Sequence, residues 1–292
     1  MCVTCGCSDG ETRVTGLAAA ADHHHDENLP GHTHDHAHPS AHDHGHEHLH
    51  DPAGHGHSHG VSHGVIDADP TTRTLVLEQA VLAKNDRLAE ANRAWFGERD
   101  ILAVNLMSSP GSGKTTLLER TVRDLGGEFR LSVVEGDQET LLDAERIRAT
   151  GAAVVQVNTG SGCHLDAGML ARSLEVLDPP AGSIVVIENV GNLVCPALFD
   201  LGERAKVVIM STTEGADKPL KYPQMFRAAD LMVVNKIDLL PYVDFDVARC
   251  TTYARQINPG LDVVEVSART GEGLDRWYDW LRRRGRSAQP PA

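Results

Sequence analysis

Short apolar runs alternate with helical patterns from about residue 100 to residue 285. The runs are rich in Val and Ile and predict seven strands, at 101–107, 131–134, 153–157, 184–187, 207–210, 231–234 and 263–266. Helical spacing follows residue 116 and recurs at 140–149, 167–177, 222–229, 247–257 and 274–284. Continuous apolar strands between helices are typical of an α/β fold with a mostly parallel sheet covered on both faces. We therefore predict a domain over 100–285 with about seven strands.

The segments outside this domain have different patterns. Residues 71–99 carry apolar positions near 3.6-residue spacing and predict an N-terminal helical segment that packs on the outside of the domain. Within residues 1–70, the tract from His23 to His63 contains almost no large apolar side chains, so the 1–70 segment is predicted to be disordered. The tail, 286–292, is predicted to be disordered as well.

Composition narrows the choice of partner and compartment. The chain has 27 Lys plus Arg against 41 Asp plus Glu, a formal net charge of -14, which makes nucleic acid an unfavourable partner. The N-terminus lacks the basic and apolar regions of a signal peptide, and no apolar run approaches a membrane span, so we expect a cytoplasmic protein with no membrane insertion. In that reducing compartment the six cysteines are read as metal ligands or core residues.

Residues 108–116, SSPGSGKTT, follow an apolar strand and open a helix, which is the context of a phosphate-binding loop. Gly111 and Gly113 allow backbone N–H groups to face phosphate oxygens, and Lys114 adds a positive charge. Thr115 offers its hydroxyl to Mg²⁺. Ser108 departs from the general pattern, which has Gly at this position. The predicted phosphate contacts are Pro110, Gly111, Ser112, Gly113, Lys114, Thr115 and Thr116.

Two later stretches predict that the base is guanine. Asn235, Lys236 and Asp238 follow the sixth strand, and a carboxylate at Asp238 can accept from both N–H donors of guanine, which adenine lacks. Ser267 and Ala268, after the last strand, resemble the loop that supports the base in GTPases. The order of these stretches favours GTP over ATP.

Acidic side chains end two other strands. Glu188 precedes Asn189-Val190-Gly191, where GTPases usually carry D-x-x-G, so Glu188 is predicted to hold Mg²⁺ and Gly191 to sense the γ-phosphate. Asp137 is predicted near the same metal or the attacking water. The predicted catalytic residues are thus Lys114, Asp137 and Glu188, and the Mg²⁺ ligands are Thr115, Asp137 and Glu188. No catalytic glutamine or arginine finger is evident, so we expect slow intrinsic hydrolysis of GTP to GDP and phosphate.

Cys2, Cys5 and Cys7 form the first of three candidate metal sites. Their C-x-x-C-G-C spacing lets three thiols converge on one soft metal ion, although a cysteine-bearing flexible terminus is the alternative.

The second candidate is a histidine tract that suits storage of Ni²⁺, Zn²⁺ or other divalent ions, because it offers many weak imidazole sites. A solvated linker with incidental metal affinity is the alternative. The tract contains His23, His24, His25, His32, His34, His36, His38, His42, His44, His46, His48, His50, His55, His57, His59 and His63.

The third candidate site comprises Cys163, His164 and Cys195. Cys163 and His164 lie just past one strand end, and Cys195 lies seven residues beyond Glu188. If the two strands are neighbours, these ligands converge beside the nucleotide, and a change at the γ-phosphate could reshape the metal site. The alternative is that Cys163 and Cys195 are small buried side chains. Cys250 has no metal-type neighbour and is assigned to the core.

Seven stretches together resemble the HypB family of hydrogenase nickel-incorporation GTPases: MCVTCGC, the histidine tract, MSSPGSGKTTLL, NTGSGCHLDA, IENVGNLVCP, NKIDLLPY and SARTGEG. The resemblance covers nearly the whole chain and implies the P-loop GTPase fold of the signal-recognition and MinD-like (SIMIBI) class. Ser108 fits this family.

The resemblance also implies cargo and partners. It implies nickel at Cys2, Cys5 and Cys7, and nickel or zinc at Cys163, His164 and Cys195. It further implies a homodimer promoted by GTP or metal, a HypA-type nickel chaperone as partner, and delivery of nickel, directly or indirectly, to the large subunit of [NiFe] hydrogenase.

Two other functions remain open from the sequence. A urease accessory GTPase shares the fold and the nickel, but is not expected to carry C-x-x-C-G-C or ENVGNLVCP. The second open function is that of a metal storage or buffering protein with a regulatory nucleotide domain. Ligand softness does not decide between nickel and zinc at either cysteine site.

Overall fold

The computed structural model describes residues 13–17, 70–137, 142–160 and 162–286. Cys2, Cys5, Cys7, the histidine tract and the tail after residue 286 lie outside the described residues, so the predictions made for them stay predictions.

An eight-stranded sheet forms the centre of the fold, in the order β1-β4-β3-β5-β2-β6-β7-β8. Strands β2 to β8 are parallel to their neighbours, and only β1 is antiparallel, to β4. The strands are β1 (Arg13–Leu17), β2 (Leu102–Ser108), β3 (Leu131–Asp137), β4 (Ala153–Asn158), β5 (Ile184–Glu188), β6 (Ala205–Ser211), β7 (Leu231–Asn235) and β8 (Asp262–Glu265). The predicted α/β fold with a mostly parallel sheet is confirmed.

The strand count is one higher than the predicted seven. The additional strand, β1, lies within the 1–70 segment that was predicted to be disordered, and it pairs with β4 from Arg13 opposite Asn158 to Leu17 opposite Val154. Its sequence, RVTGL, contains a glycine and too few apolar residues to stand out by periodicity. This strand forms through backbone pairing along the edge of the sheet. Such pairing leaves no pattern in the side chains.

Eight helices in the described residues cover the two faces of the sheet. They are α1 (Pro70–Glu98), α2 (Lys114–Leu125), α3 (Leu142–Arg148), α4 (Ala167–Leu177), α5 (Lys218–Lys221), α6 (Pro223–Ala228), α7 (Val247–Ile257) and α8 (Leu274–Arg286). Two short 3-10 helices occur at Cys195–Ala197 and Ile237–Tyr242. None of the described helices is both long and apolar enough to cross a membrane.

Three apolar clusters join these helices to the sheet. Helices α2, α3 and α8 pack on one face, where the buried indole of Trp277 also donates a hydrogen bond to Thr121 Oγ1 at 2.9 Å. On the other face, α6 and α7 pack over β6 and β7 around Phe226, and α1 and α4 pack around Phe96. The well-packed sheet fixes the positions of its strand ends, and the loops that follow carry the polar motifs.

Candidate nucleotide cleft and metal centre

The loop between β2 and α2 has the backbone shape that phosphate binding requires. Gly111 and Gly113 adopt positive φ values of 71° and 93°. A Cβ atom on Gly113 would lie 2.6 Å from Asn235 Nδ2, so a side chain there would collide with the loop after β7. Only glycine meets both demands at this position.

Ser108 contacts the lysine of the loop directly. The Lys114 ammonium donates to Ser108 Oγ at 3.0 Å, and the Ser108 hydroxyl donates to the backbone oxygen of Ser109 at 2.7 Å. Ser108 is fully buried. A serine in place of the usual glycine therefore supplies a hydrogen-bond acceptor that holds the lysine in the loop.

The predicted guanine-binding residues are brought together and tied to the phosphate loop. Asn235 Nδ2 donates to Ser112 O at 3.0 Å, and Asn235 Oδ1 accepts from Ala268 N at 3.1 Å. Ser267 Oγ donates to Asp238 Oδ1 at 2.6 Å, which orients this carboxylate.

Lys236 connects the two halves of the site. It has a positive φ of 64°, and its ammonium donates to Gly111 O at 2.7 Å. A cleft of about 510 Å³ lies over the phosphate loop. A second cavity of about 510 Å³ lies beside Asp238 and Ala268, and both are lined by Gly113, Thr116 and Lys236. The two cavities thus lie on either side of these three shared residues, one over the phosphate loop and one at the base-recognition residues.

Two buried carboxyl groups face each other across the end of the β3–β5 pair. Glu135 is the register partner of Glu188, and the two residues are 2% and 3% exposed. Thr115 Oγ1 donates to Glu188 Oε1 at 2.7 Å. Within the described part of the chain, Oε2 of both glutamates has no hydrogen-bond partner. Such orphaned buried oxygens suit a cation, because unpaired buried acceptors are costly.

Burial and neighbouring acids change the ionisation of this pair. Desolvation, followed by the negative charges of Glu188, Asp137 and Asp143, raises the pKa of Glu135 from its ordinary value to about 9, although Lys114 acts in the opposite direction. Desolvation also raises the pKa of Glu188, against the effects of Lys114 and the Thr115 hydrogen bond. A divalent cation at this place would favour the ionised forms.

Several residues of the cleft were not singled out by the sequence. Glu135 lines it beside the predicted Asp137, and Arg146 lines it from α3 while its guanidinium binds Glu119 at 2.8 Å and Asp143 at 3.0 Å. Glu214 accepts a hydrogen bond from Ser109 Oγ at 3.0 Å. Glu135 could have been identified from the sequence, because it lies near the end of a predicted strand. Arg146 and Glu214 could not, because the local sequence does not show that they lie beside the phosphate loop.

The side chains of Cys163, His164 and Cys195 converge. The two Sγ atoms are 2.9 Å apart, Cys163 Sγ lies 3.6 Å from His164 Nδ1, and the ligand atoms of all three residues lie within 4.8 Å of one another. The His164 ring packs against Phe199 at 3.9 Å between centroids. Burial lowers the pKa of His164, against a smaller raising effect of Asp166, which favours the neutral imidazole that metals bind. Two thiols and one imidazole fit a soft or borderline divalent ion.

The route to this convergence differs from the expected one. The strands that precede Cys163 and Cys195 are β4 and β5, and they are not neighbours because β3 lies between them. The loops meet above β3 because Gly136 has no side chain. A Cβ atom on Gly136 would lie 2.8 Å from Leu165, which is fully buried there.

Hydrogen bonds from the loop after β5 join the candidate metal centre to the nucleotide cleft. Asn189, the residue after Glu188, accepts from Leu165 N at 3.2 Å, and Asn192 Nδ2 donates to Cys163 O at 3.3 Å. Gly191 approaches the phosphate loop so closely that an added Cβ would lie 3.1 Å from Pro110 Cα. The segment 188–192 therefore contacts both sites.

A buried polar network extends this connection. Asn189 Nδ2 donates to Asn105 Oδ1 at 3.3 Å, Asn105 Nδ2 donates to Glu203 Oε1 at 3.0 Å, and Glu203 Oε2 accepts from Leu201 N at 2.7 Å. The loop that carries Cys195 is thus bonded to β2, the strand that leads into the phosphate loop.

Cys250 lies in the core, away from these thiols. It is fully buried in α7, and burial, with smaller effects of Glu214 and Asp246, raises its pKa to about 12. A protonated, enclosed thiol is a poor metal ligand, in agreement with the core assignment.

The parallel sheet, glycine-rich phosphate loop and base-recognition loops define a P-loop nucleotide-binding protein. Residues 102–265 match the family model described as CobW/HypB/UreG, nucleotide-binding domain. The hydrogenase maturation factor HypB of Azotobacter vinelandii is 59% identical over 212 residues, which cover 73% of this chain and 70% of that protein.

Two crystal structures are also similar. HypB of Archaeoglobus fulgidus has a TM-score of 0.64 and 44% identity, covering 69% of this chain and 98% of that one. HypB of Helicobacter pylori in complex with nickel has a TM-score of 0.66 and 35% identity, covering 72% and 99%. The chain belongs to the HypB family of hydrogenase maturation factors.

The buried acid pair leads to a prediction about stability. Because the pKa of Glu135 is raised to about 9, the folded state retains a proton that the unfolded chain releases above its ordinary value near 4.5. The contribution of Glu135 to stability is therefore greatest below that ordinary value and falls as pH rises towards 9. Glu135→Gln, which mimics the protonated acid, should raise the unfolding free energy at pH 8, by on the order of a few kcal/mol, and much less at pH 5.

Denaturant titration in EDTA without nucleotide measures this difference. Glu145→Gln, on the exposed side of α3, is the control for losing an acidic charge. A gain for Glu135→Gln that is equal at both pH values would contradict the ionisation argument.

Proposed function

We propose that this protein is a GTP-hydrolysing nickel metallochaperone that binds nickel and delivers it for assembly of the [NiFe] hydrogenase active site. The observation that carries this proposal is the contact between two sites. Glu188 binds the phosphate-loop Thr115, and the next residue, Asn189, binds the backbone next to His164. A nucleotide-dependent shift of this segment would change the geometry of the metal ligands.

Guanine selectivity is proposed to come from Asp238. Its carboxylate is oriented by Ser267 and lies in the cavity beside Ala268 and Lys236, where two N–H donors of guanine would reach it. The phosphates would lie over 110–116, with Lys114 held by Ser108 and Gly191 near the outer phosphate. This arrangement supports GTP as the nucleotide.

Mg²⁺ would be held by Thr115, Asp137 and Glu188. The Oε2 atom of Glu188, which has no hydrogen-bond partner among the described residues, fits this role. Bound there, Mg²⁺ would neutralise charge on the phosphate oxygens. Glu135 adds a second buried carboxyl beside these ligands. Lys114 would stabilise the charge of the outer phosphates, and Asp137 would orient the attacking water.

Intrinsic turnover is proposed to be slow. The described lining of the cleft contains no glutamine, and the Arg146 guanidinium is engaged by Asp143 and Glu119. Neither of the usual groups that accelerate phosphoryl transfer is therefore ready to act. Such a rate suits a timer better than a high-flux hydrolase.

Nickel is the proposed cargo of Cys163, His164 and Cys195, and zinc is a second ion that these ligands accept. The nickel complex of the similar Helicobacter pylori HypB supports this assignment. Cys2, Cys5 and Cys7 are proposed as a further nickel site, and the histidine tract as a nickel store. Family membership supports a homodimer, a HypA-type chaperone and the hydrogenase large subunit as partners.

The first test is GTP turnover. Lys114→Ala should lower turnover by about 100-fold or more, because one oriented cationic donor to the phosphates is lost. Lys221→Ala, an exposed lysine paired with Asp217 on α5, is the matched control and should keep the rate of the parent. Phosphate release by purified full-length protein measures both, with circular dichroism to confirm folding. Equal turnover in Lys114→Ala and the parent would refute the enzyme assignment.

The second test is base specificity. Asp238→Asn should weaken GTP binding by about 100-fold or more, because two charge-assisted hydrogen bonds to guanine are lost. The amide should instead donate to the C2 carbonyl of xanthine, so the variant is expected to bind xanthosine triphosphate more tightly than GTP. Competition against a fluorescent nucleotide measures both affinities. Retained preference for GTP would show that Asp238 does not contact the base.

A further inference from the structure

Helix α1 lies across the two loops that carry the candidate metal ligands. One loop, residues 163–167, carries Cys163 and His164. The other, residues 195–203, begins with Cys195. Two buried asparagines of α1, Asn85 and Asn92, are each only 5% exposed. Neither residue belongs to a motif, and neither contacts the nucleotide cleft or a metal ligand directly.

Each asparagine bonds the backbone of both loops. Asn85 Nδ2 donates to Asp200 O at 2.8 Å, and Asn85 Oδ1 accepts from Ala167 N at 2.9 Å. Asn92 Nδ2 donates to Ala167 O at 2.9 Å and to Leu201 O at 3.0 Å. Four hydrogen bonds therefore attach two loops, some thirty residues apart in sequence, to the same helix and fix their positions relative to each other.

The helix and the second loop touch at backbone distance. Gly202 has a positive φ of 89°, and a Cβ atom on it would lie 2.4 Å from Ala89 O and 2.7 Å from Asn92 Cβ. Ala89 is itself fully buried. No side chain larger than hydrogen fits at Gly202, so the loop cannot shift towards the helix, and the asparagine bonds oppose a shift away from it.

The bonded residues are close to the ligands. Ala167 follows His164 by three residues and begins α4, whose first turn is capped by the Asp166 side chain, an acceptor from Met169 N at 2.7 Å. Asp200 follows Phe199, the residue against which the His164 ring packs. Displacing either loop would therefore move a ligand or its support.

We propose that Asn85 and Asn92 are positioning residues of the metal centre, and that α1 braces the Cys163–His164 loop against the Cys195 loop. The inference rests on the proposed metal binding by Cys163, His164 and Cys195. A site whose ligands come from two loops must order both before the metal is bound, and ordering is costly in conformational entropy. The brace has already ordered them, so its loss should appear as weaker metal binding.

The probe is Co²⁺, whose thiolate charge-transfer absorption reports sulfur ligands and is silent for histidine-only sites. The experiment uses the full chain with Cys2, Cys5 and Cys7 changed to Ser, which leaves Cys163 and Cys195 as the accessible thiols. Asn92→Ala and Asn85→Ala are expected to weaken Co²⁺ binding by about 10-fold or more, the usual effect of removing groups that support metal ligands. Affinity for nucleotide should stay within about 2-fold, since neither asparagine lines the cleft.

Asn258→Ala is the matched control. Asn258 Nδ2 also donates to backbone oxygens, Phe226 O at 3.1 Å and Ala229 O at 2.8 Å, but these lie at the end of α6 and just after it, not in the 163–167 or 195–203 loop. This variant should lose comparable folding stability and keep the Co²⁺ affinity of the parent. An equal loss in Asn258→Ala would mean that general destabilisation, not positioning, explains the effect, and it would overturn the proposal.

The remaining outcomes separate the brace from the metal site itself. Cys163→Ser with Cys195→Ser should abolish the charge-transfer band; if the band remains, the proposed metal site fails. If the cysteine variants lose the band and both asparagine variants bind Co²⁺ as tightly as the parent, only the brace is refuted. If Asn92→Ala does not fold, Asn85→Ala decides alone, because it also removes one bond to each loop.

Discussion

Buried polar groups on Asn189, Asn105 and Glu203 impose the constraint on which the functional end of the sheet depends. Each is 6% exposed or less, and an unbonded amide or carboxyl group at such a place would be costly. Asn189 and Asn105 bond each other, Asn105 bonds Glu203, and Glu203 bonds the backbone of the Cys195 loop. Moving one member leaves others unpaired, so strand ends and loops are expected to shift together or not at all.

This constraint is the physical basis of the proposed link between the nucleotide cleft and the candidate metal centre. Glu188, the last residue of β5, is bonded to the phosphate loop. The segment that follows it carries Asn189 and Asn192, which are bonded to the Cys163–Leu165 backbone. On the opposite side, α1 fixes the same loops through Asn85 and Asn92. The candidate metal ligands Cys163, His164 and Cys195 thus lie in loops that are bonded both to α1 and to the segment that follows Glu188. Coupling of this kind requires two arrangements of the segment with different ligand geometry, and it acts in both directions.

Much of the fold and of the candidate site could be predicted from the sequence, because the relevant signals are local. A phosphate loop needs glycines between a strand and a helix, and the strand and helix on either side can be recognised from the spacing of their apolar residues. Asp238 and Cys163 are recognisable because they follow strands, and parallel strands end at one edge of the sheet. The two predicted cysteine loops do meet, although by a different route: β3 intervenes, and Gly136 makes room for Leu165 above it.

Other features could not be predicted because they depend on distant partners. Strand β1 is defined by pairing with β4, not by its own side chains. Asn85 and Asn92 look like ordinary polar positions on a helix until Ala167 and Leu201 are placed beside them. The raised pKa of Glu135 likewise depends first on its burial in the folded chain and then on Glu188, in a strand some fifty residues away. All three features depend on which residues lie next to one another in the folded chain, and the periodicity of the sequence does not show this.

The central claim is that the nucleotide state sets metal affinity at Cys163, His164 and Cys195. The most direct measurement is Ni²⁺ titration of the full chain, with Cys2, Cys5 and Cys7 changed to Ser and a thiolate charge-transfer readout, in GDP and in a non-hydrolysable GTP analogue with Mg²⁺. The account predicts affinities that differ by about 5-fold to 150-fold, the usual range of coupling between sites. Identical affinities in the two nucleotide states would contradict it.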